Sequence, residues 1–157
     1  MSDAYEDGLR LLARRALTKA EVEERLMARG HDGAAVAAAL ERMSASGVIA
    51  DDVLARNWIS SQAMARGRGR SRAIAELEAR GVELSVAALA WAAVEADGAI
   101  DEAALLSRAV RRRLGSTPGA TGKGRLARVY NALLSEGFDQ ARVEAALARY
   151  GFERTEE

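Results

Sequence analysis

LMARGHDGAAVAAAL, residues 26–40, is echoed twice further along the chain, as LEARGVELSVAALAW at 77–91 and LLSEGFDQARVEAAL at 133–147. Each copy reads as the end of one helix, a glycine and a second helix. Leu26, Gly30, Val36 and Leu40 match Leu133, Gly137, Val143 and Leu147 at identical spacing, and Leu77, Gly81, Val86 and Trp91 follow with a one-residue shift at the valine. The joints recur too, since Gly47-Val48-Ile49-Ala50-Asp51 is mirrored by Gly98-Ala99-Ile100-Asp101. Gly30 lies 51 residues from Gly81, Gly47 lies 51 from Gly98, and Gly81 lies 56 from Gly137. Similarity at a fixed period is the signature of a repeat architecture. It predicts three units, at 3–47, 48–97 and 98–152, with a loop insertion in the third near 115–124 and an acidic tail at 153–157.

The units read as helical. Apolar residues recur at three- and four-residue steps, as in Tyr5, Leu9, Leu12, Ala16, then Val22, Leu26, then Val36, Leu40, Met43. Strand formers are scarce, with four Ile and four Thr, and Pro118 is the only proline. The predicted fold is all-α: three tandem three-helix units forming an elongated, curved body. A bundle of about 50 residues buries a small share of its surface, so stacking on neighbours must contribute. Thr18 and Glu21 have the spacing of a capping box. Asp51 and Asp52 open a later helix and read as its caps, as does Asp101 in the repeat copy, followed by Glu102. Gly30 and Gly47 read as helix stops.

Several chemistries are excluded by what the chain lacks. With no cysteine there are no disulfides and no thiolate metal sites. The single histidine, His31, follows Gly30 and reads as a turn residue, so no Ser-His-Asp triad or histidine-rich metal site can be assembled. Residues Thr117 to Gly124 resemble a phosphate-binding loop only at Gly122 and Lys123. Thr117 replaces its first glycine, Gly124 replaces its hydroxyl residue, and no strand precedes it. Gly67 and Gly69 form a lone G-x-G, read as a flexible joint. The expectation is a non-enzyme without cofactor or metal. The start, Met1 to Asp7, has no basic, apolar leader, and the longest apolar runs, such as Val86 to Val94, are far below the roughly 20 residues of a membrane span. A cytoplasmic protein is expected.

Basic and acidic residues balance at 23 each, but they are not evenly spread. Arg56 through Arg72 holds five arginines and no acid; Arg108 through Arg128 holds six arginines and Lys123, again with no acid. Both zones fall between the first and second helices of their unit. Arg66, Arg68, Arg70 and Arg72, with Arg111, Arg112, Arg113, Lys123, Arg125 and Arg128, are therefore the candidate partner-binding residues, suited to phosphates or to carboxylates on an acidic protein face. A solvated basic surface is the plain alternative. The aromatics Tyr5, Trp58, Trp91, Tyr130, Phe138, Tyr150 and Phe152 fall mostly on apolar faces and read as core, which leaves no platform for base stacking.

Laid out in this way, residues 5 to 152 resemble the RecX family of RecA regulators. Four places carry the resemblance: Leu12 to Leu26 with Thr18 and the Glu-rich helix; Gly47 through Asp52 followed by Ala55 and Arg56; Gly67 through Gly81 with its glycine-basic turn; and Leu133 through Leu147 with Gly137-Phe138. Val48 stands where the family carries an aromatic, Ala50 adds a residue before the acidic pair, and Gln62 to Met64 stand where relatives often carry basic residues. The resemblance implies tandem three-helix units in a curved body. It also implies a protein that lies in the groove of the RecA–DNA filament, bridges protomers, and restrains filament growth, ATP hydrolysis, strand exchange and coprotease activity; a monomer is expected. The partner would be the RecA filament on DNA, with weak direct nucleic-acid contact. A helical DNA-binding module acting without RecA is the rival reading.

Overall fold

Thr18 shows how local chemistry starts a helix in this chain. Its Oγ1 accepts a hydrogen bond from the Glu21 N–H at 3.1 Å, and the Glu21 carboxylate accepts one from the Thr18 N–H at 3.3 Å. Two amides that the first turn leaves unpaired are thereby satisfied. The computed structural model describes residues 2–117, 119 and 121–154, and among them regular structure is helical, with no strand. The helices are α1 (Ala4–Arg14), α2 (Lys19–Ala28), α3 (Gly33–Ala45), α4 (Asp51–Trp58), α5 (Arg70–Ala79), α6 (Leu84–Ala96), α7 (Glu102–Leu114), α8 (Lys123–Ser135) and α9 (Gln140–Ala148). A π-helical stretch, Ile59–Ala63, continues α4.

Within each triplet the helices pack on one another: α1, α2 and α3; α4, α5 and α6 with the π-helical stretch; α7, α8 and α9. The chain is an all-α helical repeat. Its apolar interior nevertheless forms two clusters, not one per triplet. Val22, Leu26, Val36, Leu40 and Met43 anchor a core confined to the first triplet. A second core runs without a break from Ala55 through Trp91 to Leu147 and Tyr150, joining the second and third triplets. Trp91, 1% exposed, is the largest fully buried side chain. The loop expected at 115–124 ends earlier, because Lys123 and Gly124 already belong to α8. Pro118 and Ala120 in that loop, and residues 155–157 of the acidic tail, lie outside the described residues.

The joints between triplets repeat in atomic detail. Thr18, fully buried, donates through Oγ1 to the Arg80 carbonyl at 2.7 Å, and the Arg80 guanidinium meets the Glu21 carboxylate at 2.7 Å. At the next joint the Gly69 N–H donates to the Glu136 carbonyl at 2.8 Å, and the Ser71 hydroxyl donates to the Gly137 carbonyl at 2.9 Å. In both cases the N-terminus of one triplet's second helix seats on the glycine turn of the following triplet. Burial pushes the Glu21 pKa up, but the Thr18 amide and Arg80 outweigh it, and the net shift is downward.

This arrangement corrects two readings of the sequence. Asp51 does not cap its own helix: α4 has Ala50 at its N-cap with no side-chain bond, and Asp51 Oδ1 instead accepts from the Lys19 N–H of α2 at 2.9 Å. Asp52 likewise caps nothing and pairs with Arg56 one turn along at 3.5 Å. Asp101 does accept from the Ala104 N–H in the first turn of α7, at 3.1 Å. Nor is the Gly67–Gly69 pair a loose joint. Gly69 is buried as the N-cap of α5, and a side chain there would collide with the backbone of Gly137 and Phe138.

His31 occupies the α2–α3 turn, where its Nε2 lies 2.7 Å from Asp7 Oδ2 and ties that turn to α1. The His31 hydrogen bond is the largest cause of a lowered Asp7 pKa. The Ser2 hydroxyl and the charge of Arg29 add to it against a smaller upward push from desolvation, taking the group from 3.8 to about 2. A carboxyl whose pKa falls on folding contributes stability that is complete above 3.8 and is lost as pH drops toward about 2. Urea unfolding of the natural protein is therefore expected to weaken more steeply across that window than unfolding of Asp7→Asn. Parallel pH profiles for the two would contradict this.

Candidate partner-binding surface

The two cationic zones lie far apart in sequence, yet folding brings them side by side. The π-helical stretch leads through Met64 to Gly67, whose positive φ of 65° turns the chain toward α5. A Cβ built on Gly67 would lie 3.3 Å from the Arg112 guanidinium, so the last turn of α7 rests against the turn that carries Arg66 and Arg68. Arg125, in the first turn of α8, donates to the Arg113 carbonyl and adds a third strand of contact.

Within this region the arginines divide into two groups. Arg68 lies 3.2 Å from Glu76 Oε1, and Arg72 donates to the same oxygen at 3.0 Å while reaching the Ser135 carbonyl at 3.3 Å. Arg113 pairs with Glu136. Arg72 thus reaches across the joint between the second and third triplets, while Arg68–Glu76 braces the second triplet and Arg113–Glu136 the third. The other oxygens of Glu76 and Glu136, and Arg68 Nε, are buried without a hydrogen-bond partner. Arg66, Arg70, Arg111, Arg112, Lys123, Arg125 and Arg128 are exposed and make no ion pair among the described residues. An exposed guanidinium without an acid beside it is free to meet a carboxylate or phosphate on another molecule.

Residues missed in the sequence complete the joint. Glu102, almost fully buried, accepts from the Arg70 N–H at 3.1 Å and from the Arg142 guanidinium at 3.2 Å. The repeat itself held the signal, because Glu102 follows Arg70 by the same 32 residues that separate Asp51 from Lys19. None of the seven aromatics is exposed. Tyr130 and Phe152 stack at 4.9 Å, Trp91 donates to Glu95, and Tyr5 lies under the Arg42 guanidinium. The surface therefore presents charge and no exposed aromatic ring among the described residues. Among the described residues no group of three or more His, Asp or Glu side chains is placed to hold a metal, and no helix is long and apolar enough to cross a membrane.

Residues 4–43 match the family model described as the RecX first three-helix domain. A protein of Mycobacterium sp. (strain JLS), named regulatory protein RecX, is 33% identical over 135 residues, covering 85% of this chain and 73% of its own. The chain belongs to the RecX family. A RecX of Chromohalobacter salexigens is 36% identical over 143 residues, covering 91% of this chain and 90% of its own. The crystal structure of RecX from Lactobacillus salivarius superposes with a TM-score of 0.75 over 94% of each chain, at 15% identity. That likeness extends the fold match across all three triplets, well beyond the residues of the family model. The RecX relatives carry the name of regulatory proteins.

Proposed function

We propose that this chain is a non-catalytic negative modulator of RecA that binds in the groove of the RecA–DNA filament and restrains filament growth, ATP hydrolysis, strand exchange and coprotease activity. The observation that carries the reading, beside family membership, is the unpaired cationic ridge built from two zones at the joint of the second and third triplets. A row of rigid repeats presenting such a ridge suits contact along an extended partner. It acts as a cytoplasmic monomer on the filament, and touches DNA only weakly.

The direct test is RecA ATP hydrolysis on single-stranded DNA with this protein titrated in. The rate is expected to fall to a plateau as the filament saturates; an unchanged rate and filament length at saturating protein would refute the proposal. The rival, a DNA-binding module independent of RecA, is separated by salt. Binding to naked DNA falls steeply with ionic strength, whereas filament binding needs RecA and nucleotide.

A further inference from the structure

The chain fills one kind of docking site twice and leaves a third copy open. The second helix of each triplet opens with a cap, a basic residue and a small one: Thr18-Lys19-Ala20 in α2, Gly69-Arg70-Ser71 in α5, and Gly122-Lys123-Gly124 in α8. In the first two, the backbone N–H of the basic residue donates to a carboxylate from the next triplet, Lys19 to Asp51 at 2.9 Å and Arg70 to Glu102 at 3.1 Å. The small residue receives the next triplet's glycine turn. Gly81 abuts Ala20 so closely that a side chain on it would overlap, and the Ser71 hydroxyl bonds the Gly137 carbonyl.

Among the described residues, the same opening at α8 meets no following triplet. Gly122 and Gly124 have no described atom within 4 Å of a Cβ built on either, and residues 122–125 are all exposed. Beside them runs a groove of about 500 Å3, lined by Lys123, Leu126, Tyr130, Phe152, Glu153 and Arg154 among others. Arg154 pairs with Glu144, and Glu153, the one acid among the described lining residues, lies at the end away from Arg125 and Arg128 in sequence. The third residue is Glu21 in α2, which meets Arg80 across its joint, and Arg72 in α5, which reaches the Ser135 carbonyl across its own; in α8 it is Arg125, with Lys123 before it and Arg128 one turn on, none of them ion-paired among the described residues.

We infer that the N-terminus of α8 and its groove dock an acidic surface of a folded partner protein on which a helix start and a turn lie side by side, as Asp51 and Gly81, or Glu102 and Gly137, do in the filled copies. A carboxylate at that helix start accepts from the Lys123 N–H, the turn closes against Gly124, and acids of the surface face Arg125 and Arg128. The two filled copies supply the geometry, and the unpaired cations supply the sign. That the partner is RecA rests on the function proposed above; the docking chemistry does not.

Gly124→Leu tests it without a folding confound. The added side chain enters open space in the free protein and removes a glycine from a helix, so the thermal midpoint is expected to hold or rise. Binding to RecA filaments on single-stranded DNA is expected to weaken at least about tenfold, because the partner's turn is kept off the helix. Equal filament binding by the variant overturns the inference. So does a parallel loss on naked single-stranded DNA, which would assign the site to phosphates. A second arm does not depend on RecA. A synthetic peptide reproducing residues 46–58, the stretch whose Asp51 fills the α2 site, is titrated into the full chain while the amide resonances of Lys123 and Gly124 are followed. Saturable shifts in the natural chain are expected, and their loss when the peptide carries Asp51→Asn. Absence of shifts at millimolar peptide overturns the inference even if RecA binding is intact.

Discussion

Gly137→Ala is expected to destabilise the protein by about 3 kcal/mol or more, while Gly30→Ala costs only about 1 kcal/mol. The two glycines occupy the same place in their repeats and nearly the same backbone conformation, φ 95° and 87°. An L-residue pays a similar left-handed penalty at either. What differs is the surroundings. A Cβ on Gly30 meets nothing within 4 Å, whereas one on Gly137 would overlap the backbone N and Cα of Arg72. Neither partner is a flexible side-chain tip, so relief requires α5 and the α8–α9 turn to separate. Separation breaks the Gly69 N–H to Glu136 bond and the Ser71 hydroxyl to Gly137 bond, and opens the core that the second and third triplets share. Urea unfolding followed by circular dichroism gives both values. Equal losses at the two positions would show that the glycine is needed only for its turn and not for the joint.

The same comparison explains what could be read in the sequence. The repeat, the helices and the glycine stops are local or periodic properties, set by hydrophobic spacing and by backbone conformations that glycine adopts without strain. They were legible because each copy confirms the others. The division of the cations was not legible, since Arg66 and Arg68 are two residues apart in one glycine-rich turn and look alike. Arg72 and Glu76 are one turn apart in α5 and could have been paired from spacing, but only the folded turn brings Arg68 to the same carboxylate, and only the tertiary register places Glu136 against Arg113. Asp51 misled for a related reason. An acid at a helix start ordinarily serves its own first turn, but here the Lys19 amide of the neighbouring triplet is an orphan donor within reach and takes the carboxylate. The joint of two cores rather than three was hidden as well, because apolar periodicity shows which face is buried and not which neighbour buries it.

Reversing Arg66, Arg111 and Arg112 together to Glu is expected to lower affinity for RecA filaments by about 100-fold, at a cost of only about 1–2 kcal/mol in stability from two acids at the C-terminal end of α7. All three are exposed and have no acid beside them among the described residues, so their removal strips no internal partner. Arg112, lying against Gly67, joins the two zones and should contribute most to the ridge they share. Arg68→Ala or Arg113→Ala should do the reverse. Arg113→Ala leaves Glu136, which already holds a buried unpaired oxygen, without its counter-charge, and Arg68→Ala leaves Glu76 with Arg72 alone, so the cost falls on stability and is larger for Arg113. Anisotropy of labelled filaments at two ionic strengths separates the cases: the natural protein's affinity should fall with salt, and the triple variant's weaker binding should fall less. Filament affinity unchanged by the triple reversal would mean that the ridge faces solvent in the complex, and the partner would then have to be sought on another face of the repeat.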